Sequence, residues 1–165
     1  MATLKDSGNA VTRTLEGYRN TSAAGLAINA AGAATFKTTS GYTYLSDGVF
    51  KTKAALAAQA FSAGHAVQPI GQTLYYTVGL DAAGNVFTYQ GTAPSNNQVA
   101  EALANNLPAS SVASKIADVP PGVTAVGLIK VVATGTAFTP GATALDAAGI
   151  TATFFDVALL PTVAP

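Results

Sequence analysis

The chain has 165 residues and a mass of 16.4 kDa, the size of one domain and enough to bury a sizeable core. It holds 35 Ala, 21 Thr and 16 Gly, its charges cancel at 8 against 8, and only 10% of its residues are charged where about 25% is usual. So sparse a charge excludes a nucleic-acid footprint, which needs a clustered basic face, and the absence of cysteine excludes disulfides, a thiol nucleophile and thiolate metal sites.

Surface scaling gives roughly 7,500 Å² for this mass, or about one charge per 470 Å². Most of the exterior is then Thr, Ser, Asn, Gln, Ala and backbone, and nothing keeps copies apart by repulsion. This composition points to a protein that works inside an assembly, the alternative being an ordinary mildly polar secreted domain. Residues 1–53 carry a net +3 and the remainder a net −3, an asymmetry that favours contact between the N-terminal part of one copy and the body of a neighbour, or an acidic partner. The first 22 residues are polar, so no cleaved signal is expected, and no run of 18 apolar residues predicts a membrane span.

Residues 1–40 show neither a period of 2 nor one of 3.6 and are interrupted by Gly, Ser and Asn, which predicts an extended N-terminal arm before a β-rich domain over 41–165. In "YTYLSDGVFKT", Asp47-Gly48 separates two runs of β-formers and predicts a tight hairpin. "KAALAAQAF" is ambiguous between a helical turn and a strand. "TLYYTVGLDAAGNVFTYQG" is the best hairpin, with strands from Leu74 to Leu80 and from Asn85 to Gln90. "SNNQVAEALANN" sets Val99 and Leu103 four apart behind Ser and Asn caps, predicting a short helix over about 96–106. "PPGVTAVGLIKVVATG" opens with a turn and runs into the most apolar strand, the candidate centre of the core, and "ITATFFDVALLP" alternates as a final strand.

"LDAAG" occurs at 80–84 and 145–149, with "INAAG" at 28–32. The five residues read as a turn cassette. An apolar residue ends a strand, Asp or Asn bonds nearby backbone, and Gly supplies positive φ before the next strand. The unequal spacings rule out a solenoid or propeller. The sum is mainly β: a small antiparallel β-sandwich or barrel built from hairpins, with one short helix.

Catalytic material is scarce. His65 is the sole histidine and lies near Ser62, without a G-x-S-x-G elbow or a third partner, and reads as a surface or interface histidine. Asp47, Asp81 and Asp146 have turn roles, and Asp118 and Asp156 stand isolated. No EF-hand, P-loop or dinucleotide fingerprint is present, so neither metal nor cofactor is expected. Tyr42, Tyr44, Tyr75, Tyr76 and Tyr89 suit cross-strand pairs better than a sugar groove.

From about Thr39 onward, in order, "YLSDGVFKTKAAL", "LDAAGNVFTYQGT", "VGLIKVV" and "FTPGATALDAAGITATFFD" resemble the small β-rich decoration, cement or head-fibre proteins of tailed bacteriophage heads. The resemblance implies a non-enzymatic virion protein on the outer surface of an icosahedral capsid, commonly a homotrimer, with the major capsid protein as partner and no cofactor, nucleic acid or membrane. The residues before Thr39 fall outside the match; their cations Lys5, Arg13 and Arg19 are the candidate capsid or subunit contacts. Two other readings are a carbohydrate-binding or adhesin module of a tail fibre, using the tyrosines, and a hydrolase built on His65. A tail-tube or baseplate role stands close to the first reading.

Overall fold

A computed structural model of the protein describes residues 17–94, 96–106 and 114–157. Among them are nine strands, β1 (Arg19–Asn20), β2 (Leu26–Ile28), β3 (Phe36–Thr38), β4 (Tyr42–Ser46), β5 (Val49–Lys53), β6 (Thr73–Leu80), β7 (Val86–Gln90), β8 (Thr124–Ala133) and β9 (Ile150–Asp156), with one helix, α1 (Asn96–Ala104). The fold is mainly β, and every strand pairing is antiparallel. The largest sheet runs β7-β6-β8-β9, a second runs β1-β4-β5, and β2-β3 form a separate hairpin. The smaller units pack against β8 and β9 in a sandwich-like arrangement rather than a closed barrel.

The turns form where the residues favour them. Asp47 and Gly48 have φ of 53° and 73°, the two positive values that a type I′ hairpin requires, and Ser46 pairs with Val49 across them. In the β6–β7 turn, Asp81 accepts hydrogen bonds from Asn85 N and Nδ2, both at 2.8 Å, and Gly84 N donates to Asp81 O. The "INAAG" cassette turns β2 into β3, with Asn29 N donating to Thr35 O. The third cassette departs from its expected role. No strand precedes Leu145; it lies in the connection from β8 to β9, and Asp146 accepts from Gly32 N of the first cassette at 2.9 and 3.0 Å. Leu145 N donates to Ala33 O beside it, so two cassettes hold each other.

β8 is central, between β6 and β9, and its Val126, Ile129, Val131 and Ala133 are fully buried. The β6–β8 register passes from Val78 opposite Gly127 to Gly79 opposite Ala125, leaving Val126 as the extra residue of a bulge. The bulge resets the alternation, so Thr124 turns inward and donates to Leu45 O of the second sheet at 2.9 Å. Phe36, Phe61, Tyr76 and Phe138 form the aromatic centre. Phe61 meets the other three edge-on at centroid distances of 5.2 to 5.8 Å, an arrangement worth about 0.5–1.5 kcal/mol per pair beyond burial.

Residues 17–40 are part of the folded body, not of an arm as expected. β1 pairs with β4, β2 with β3, and Ala24, Leu26 and Phe36 lie in the core. These strands have only two or three residues each, too few to show a period. Residues 1–16 lie outside the described residues. After Lys53, the end of β5, the rest of "KAALAAQAF" is neither helix nor named strand; it meets β3 through a bridge between Gln59 and Phe36. In α1, Ala102 is buried whereas Leu103 is exposed, so Leu103 is not on a core-facing stripe.

Candidate contact surface

The β4–β5 hairpin supplies Phe50, the most exposed large apolar side chain among the described residues, with Val49 beside it. Val49 is 56% and Phe50 70% exposed, because the tight turn carries them beyond the layer that covers Tyr42, Tyr44 and Ser46. Arg19 lies opposite Leu45, and Leu45 opposite Phe50, so the three share one face in a row across β1, β4 and β5. The next row along is Thr21, Thr43 and Thr52: Thr21 N donates to Thr43 O, the two hydroxyls of Thr21 and Thr43 are 2.7 Å apart, and Thr43 pairs with Thr52. This outer face therefore presents one guanidinium, one exposed ring and three hydroxyls. No acidic residue belongs to either row.

Arg19 is the one predicted contact residue among those described; Lys5 and Arg13 lie outside them. It is half-buried, and its Nε is enclosed without a hydrogen-bond partner. On the opposite face of the sheet the polar groups turn inward. Lys53 Nζ donates to Gly84 O at 2.7 Å and Lys51 Nζ to Ala82 O, clamping the β5 strand to the β6–β7 turn. Burial raises the Tyr42 phenol to about 12, with Tyr44 adding to the effect, and burial likewise raises Tyr76 to about 12 against an opposing hydrogen bond with Gln90. Both are core tyrosines. Tyr44 is equally enclosed, which leaves Tyr75 and Tyr89 half-exposed on the outer face of the large sheet.

His65 and Ser62 meet on a common partner rather than on each other. Ser62 N donates to Thr88 Oγ1 and Thr88 N to Ser62 Oγ, at 2.8 and 2.9 Å. The Thr88 hydroxyl also shares a hydrogen bond with His65 Nε2, 2.7 Å away. Burial lowers the His65 pKa below its ordinary 6.5, the Thr88 contact acting the other way. The ring also sits edge-on to Tyr76 at 5.7 Å. The histidine read as a surface or interface residue is half-buried and fastens its segment to Thr88, itself buried.

The carboxylates likewise serve the scaffold. Asp156, read as isolated, accepts from Gly25 N at 2.9 Å and Leu26 N at 3.2 Å, tying β9 to the start of β2. Hydrogen bonds from Asn85, Ala83 and Gly84 outweigh desolvation at Asp81 and lower its pKa. Among the described residues no three His, Asp or Glu side chains gather into a metal-binding group. The sequence signal for the contact face was the exposed pair after the Asp-Gly turn; its row with Arg19 depended on pairing with β1, a strand no periodicity announced. Comparison of the chain with protein-family models, with curated proteins and with solved structures finds no match.

Proposed function

We propose that the protein is a non-enzymatic virion structural protein that binds the outer surface of an icosahedral phage capsid and stabilises it, as a homotrimer with the major capsid protein as partner. The observation that carries this reading is the outer face of the β1-β4-β5 sheet, where Phe50 is 70% exposed beside Arg19 and a row of threonines. A ring anchored next to a cation and adaptable hydroxyls is the composition of a protein-binding surface. Cementing requires many such modest contacts repeated over a lattice, where multivalency multiplies weak single-site binding. Lys5 and Arg13, outside the described residues, are the two further cations proposed for the partner contact.

The test is to add purified protein to capsids assembled without it and to follow co-sedimentation and the temperature of capsid rupture. Saturable binding with a raised rupture temperature is expected. Replacing Val49 and Phe50 by Ser should weaken binding by about tenfold or more, since a buried ring contributes roughly 1.5–3 kcal/mol. Removing residues 1–16 should weaken it as well. Absence of wild-type binding overturns the capsid reading. It would favour the carbohydrate-binding or adhesin alternative, for which Tyr75 and Tyr89 are the specific support: Tyr89 pairs with Thr77, placing Tyr75 diagonally beside it on the same half-exposed face. Glycan binding lost in Tyr75→Ala or Tyr89→Ala is the sign of that reading.

A further inference from the structure

The free edges of the sheets are treated unequally. On β7, the outward N–H of Thr88 is taken by Ser62 Oγ, and Thr92 just beyond exchanges both backbone bonds with Lys115. On β5 the strand carries Lys51 and Lys53, each folded onto the β6–β7 turn, and lysine is an ordinary guard of an exposed edge. The β9 strand has neither protection. Among the described residues it pairs only with β8. Its sequence, Ile-Thr-Ala-Thr-Phe-Phe-Asp, contains no Lys, Pro or Gly, and its register against β8 is unbroken.

Parity identifies the unpaired groups. Val157 N donates to Val126 O, so the bonded pairs toward β8 are those of Phe155, Thr153 and Thr151, and the N–H and C=O of Ala152 and Phe154 point away from β8. Neither residue's outward groups have a hydrogen-bond partner among the described residues. These groups are a ready template for a further strand. We propose that the occupant is β9 of a second copy of this chain, added antiparallel about a two-fold axis through Phe154, so that two four-stranded sheets join into one of eight strands.

Self-pairing fits the residues in three ways. In this register Thr153 faces Phe155 of the second copy, and Phe155 faces its Thr153, placing aromatic beside β-branched side chains on the outer face; Phe155, 45% exposed in the single chain, becomes covered. The only charge in the strand, Asp156, faces Ala152 of the other copy, so the two carboxylates stand at opposite ends, each already hydrogen-bonded by Gly25 N and Leu26 N. The chain's net charge of zero adds no long-range repulsion. The inference does not rest on the capsid reading, since it concerns an edge remote in sequence from the Arg19–Phe50 face; a homotrimer whose β9 edges pair would be a hexamer, an even multiple.

The experiment is sedimentation equilibrium of the full chain, with amide exchange at Ala152 and Phe154 followed at high and low protein concentration. The expected result is a particle of twice the 16.4 kDa chain mass, or a higher even multiple, in which both amides are protected and lose that protection on dilution. The variant Thr153→Glu separates pairing from folding. In the single chain its carboxylate lies opposite Lys130, which keeps the fold; in the pair the two introduced carboxylates are diagonal neighbours about 7–8 Å apart. It should be monomeric, with the unfolding midpoint that the wild type shows at a dilution where it too is monomeric. A wild-type monomer, an oligomer whose Ala152 and Phe154 amides exchange as an open loop does, or a Thr153→Glu protein that still pairs overturns the proposal.

Discussion

Gly127 shows how tightly the two layers meet. A Cβ at that position would collide with the Leu26 side chain and with the carbonyl oxygen of Phe155, and neither neighbour has space to retreat, since Leu26 is buried and Phe155 is held in the β8–β9 ladder. Gly127→Ala should therefore destabilise the protein by about 1–3 kcal/mol, the usual cost of overpacking, seen as a lower urea midpoint with an unchanged slope. An unchanged midpoint would mean that β2 is not seated on β8. The same scale explains which side-chain roles were legible. Asp81 bonds a neighbour four residues on, so its function follows from local geometry. Asp146 bonds Gly32, 114 residues away, and nothing local distinguishes the two Asp residues.

Among the elements, the segment from Phe61 to Gln68 depends most on protonation. It replaces a strand at the β7 edge, fastened by the Ser62–Thr88 exchange, by Ala66 and Gln90 bonding each other twice, and by His65 on Thr88. Gln68 is fully buried, with Nε2 donating to Gln72 O and Val131 O and Oε1 accepting from Tyr76. Because burial lowers the His65 pKa from 6.5, the unfolded chain binds the proton more readily than the folded one. The stabilisation is then complete above pH 6.5 and is lost as pH falls below it toward the lower folded value. Urea midpoints should decline from pH 7.5 to pH 5 in the wild type and decline less in His65→Gln; equal slopes would remove His65 from the account. The stretch leading into it, "KAALAAQAF", was the least legible part of the chain, since its Ala-rich sequence fits helix and strand alike, and its conformation is set by bonds from Leu56 and Gln59 to β3.

At the scale of the whole molecule, the boundary between arm and domain is the clearest departure from the sequence reading. Removing residues 1–40 deletes Asn20, Ala24, Leu26 and Phe36 from the interior. The loss of Phe36 alone is worth about 3–5 kcal/mol, a large share of the 5–15 kcal/mol that holds most domains together. The truncated protein should lack a cooperative thermal transition by circular dichroism, and a sharp transition would show that β1 to β3 are dispensable. Any deletion that probes particle binding must therefore stop before Gly17.

The sequence by itself determined the mainly β class, the two tight hairpins at Asp47-Gly48 and Asp81–Gly84, the helix near 96–106 and the central place of β8. Each of these rests on short-range physics: positive φ at Gly and Asp, capping, and an apolar run long enough to demand burial. Only the tertiary structure decided that residues 17–40 belong to the body, that Asp146 and Asp156 reach across to the β2–β3 hairpin, that Thr88 stands between Ser62 and His65, and that β9 alone among the compared edges carries no guard. Those facts depend on which distant segments meet. A hydrogen-bonding side chain or a strand edge has the same local sequence whether its partner is near, far or absent.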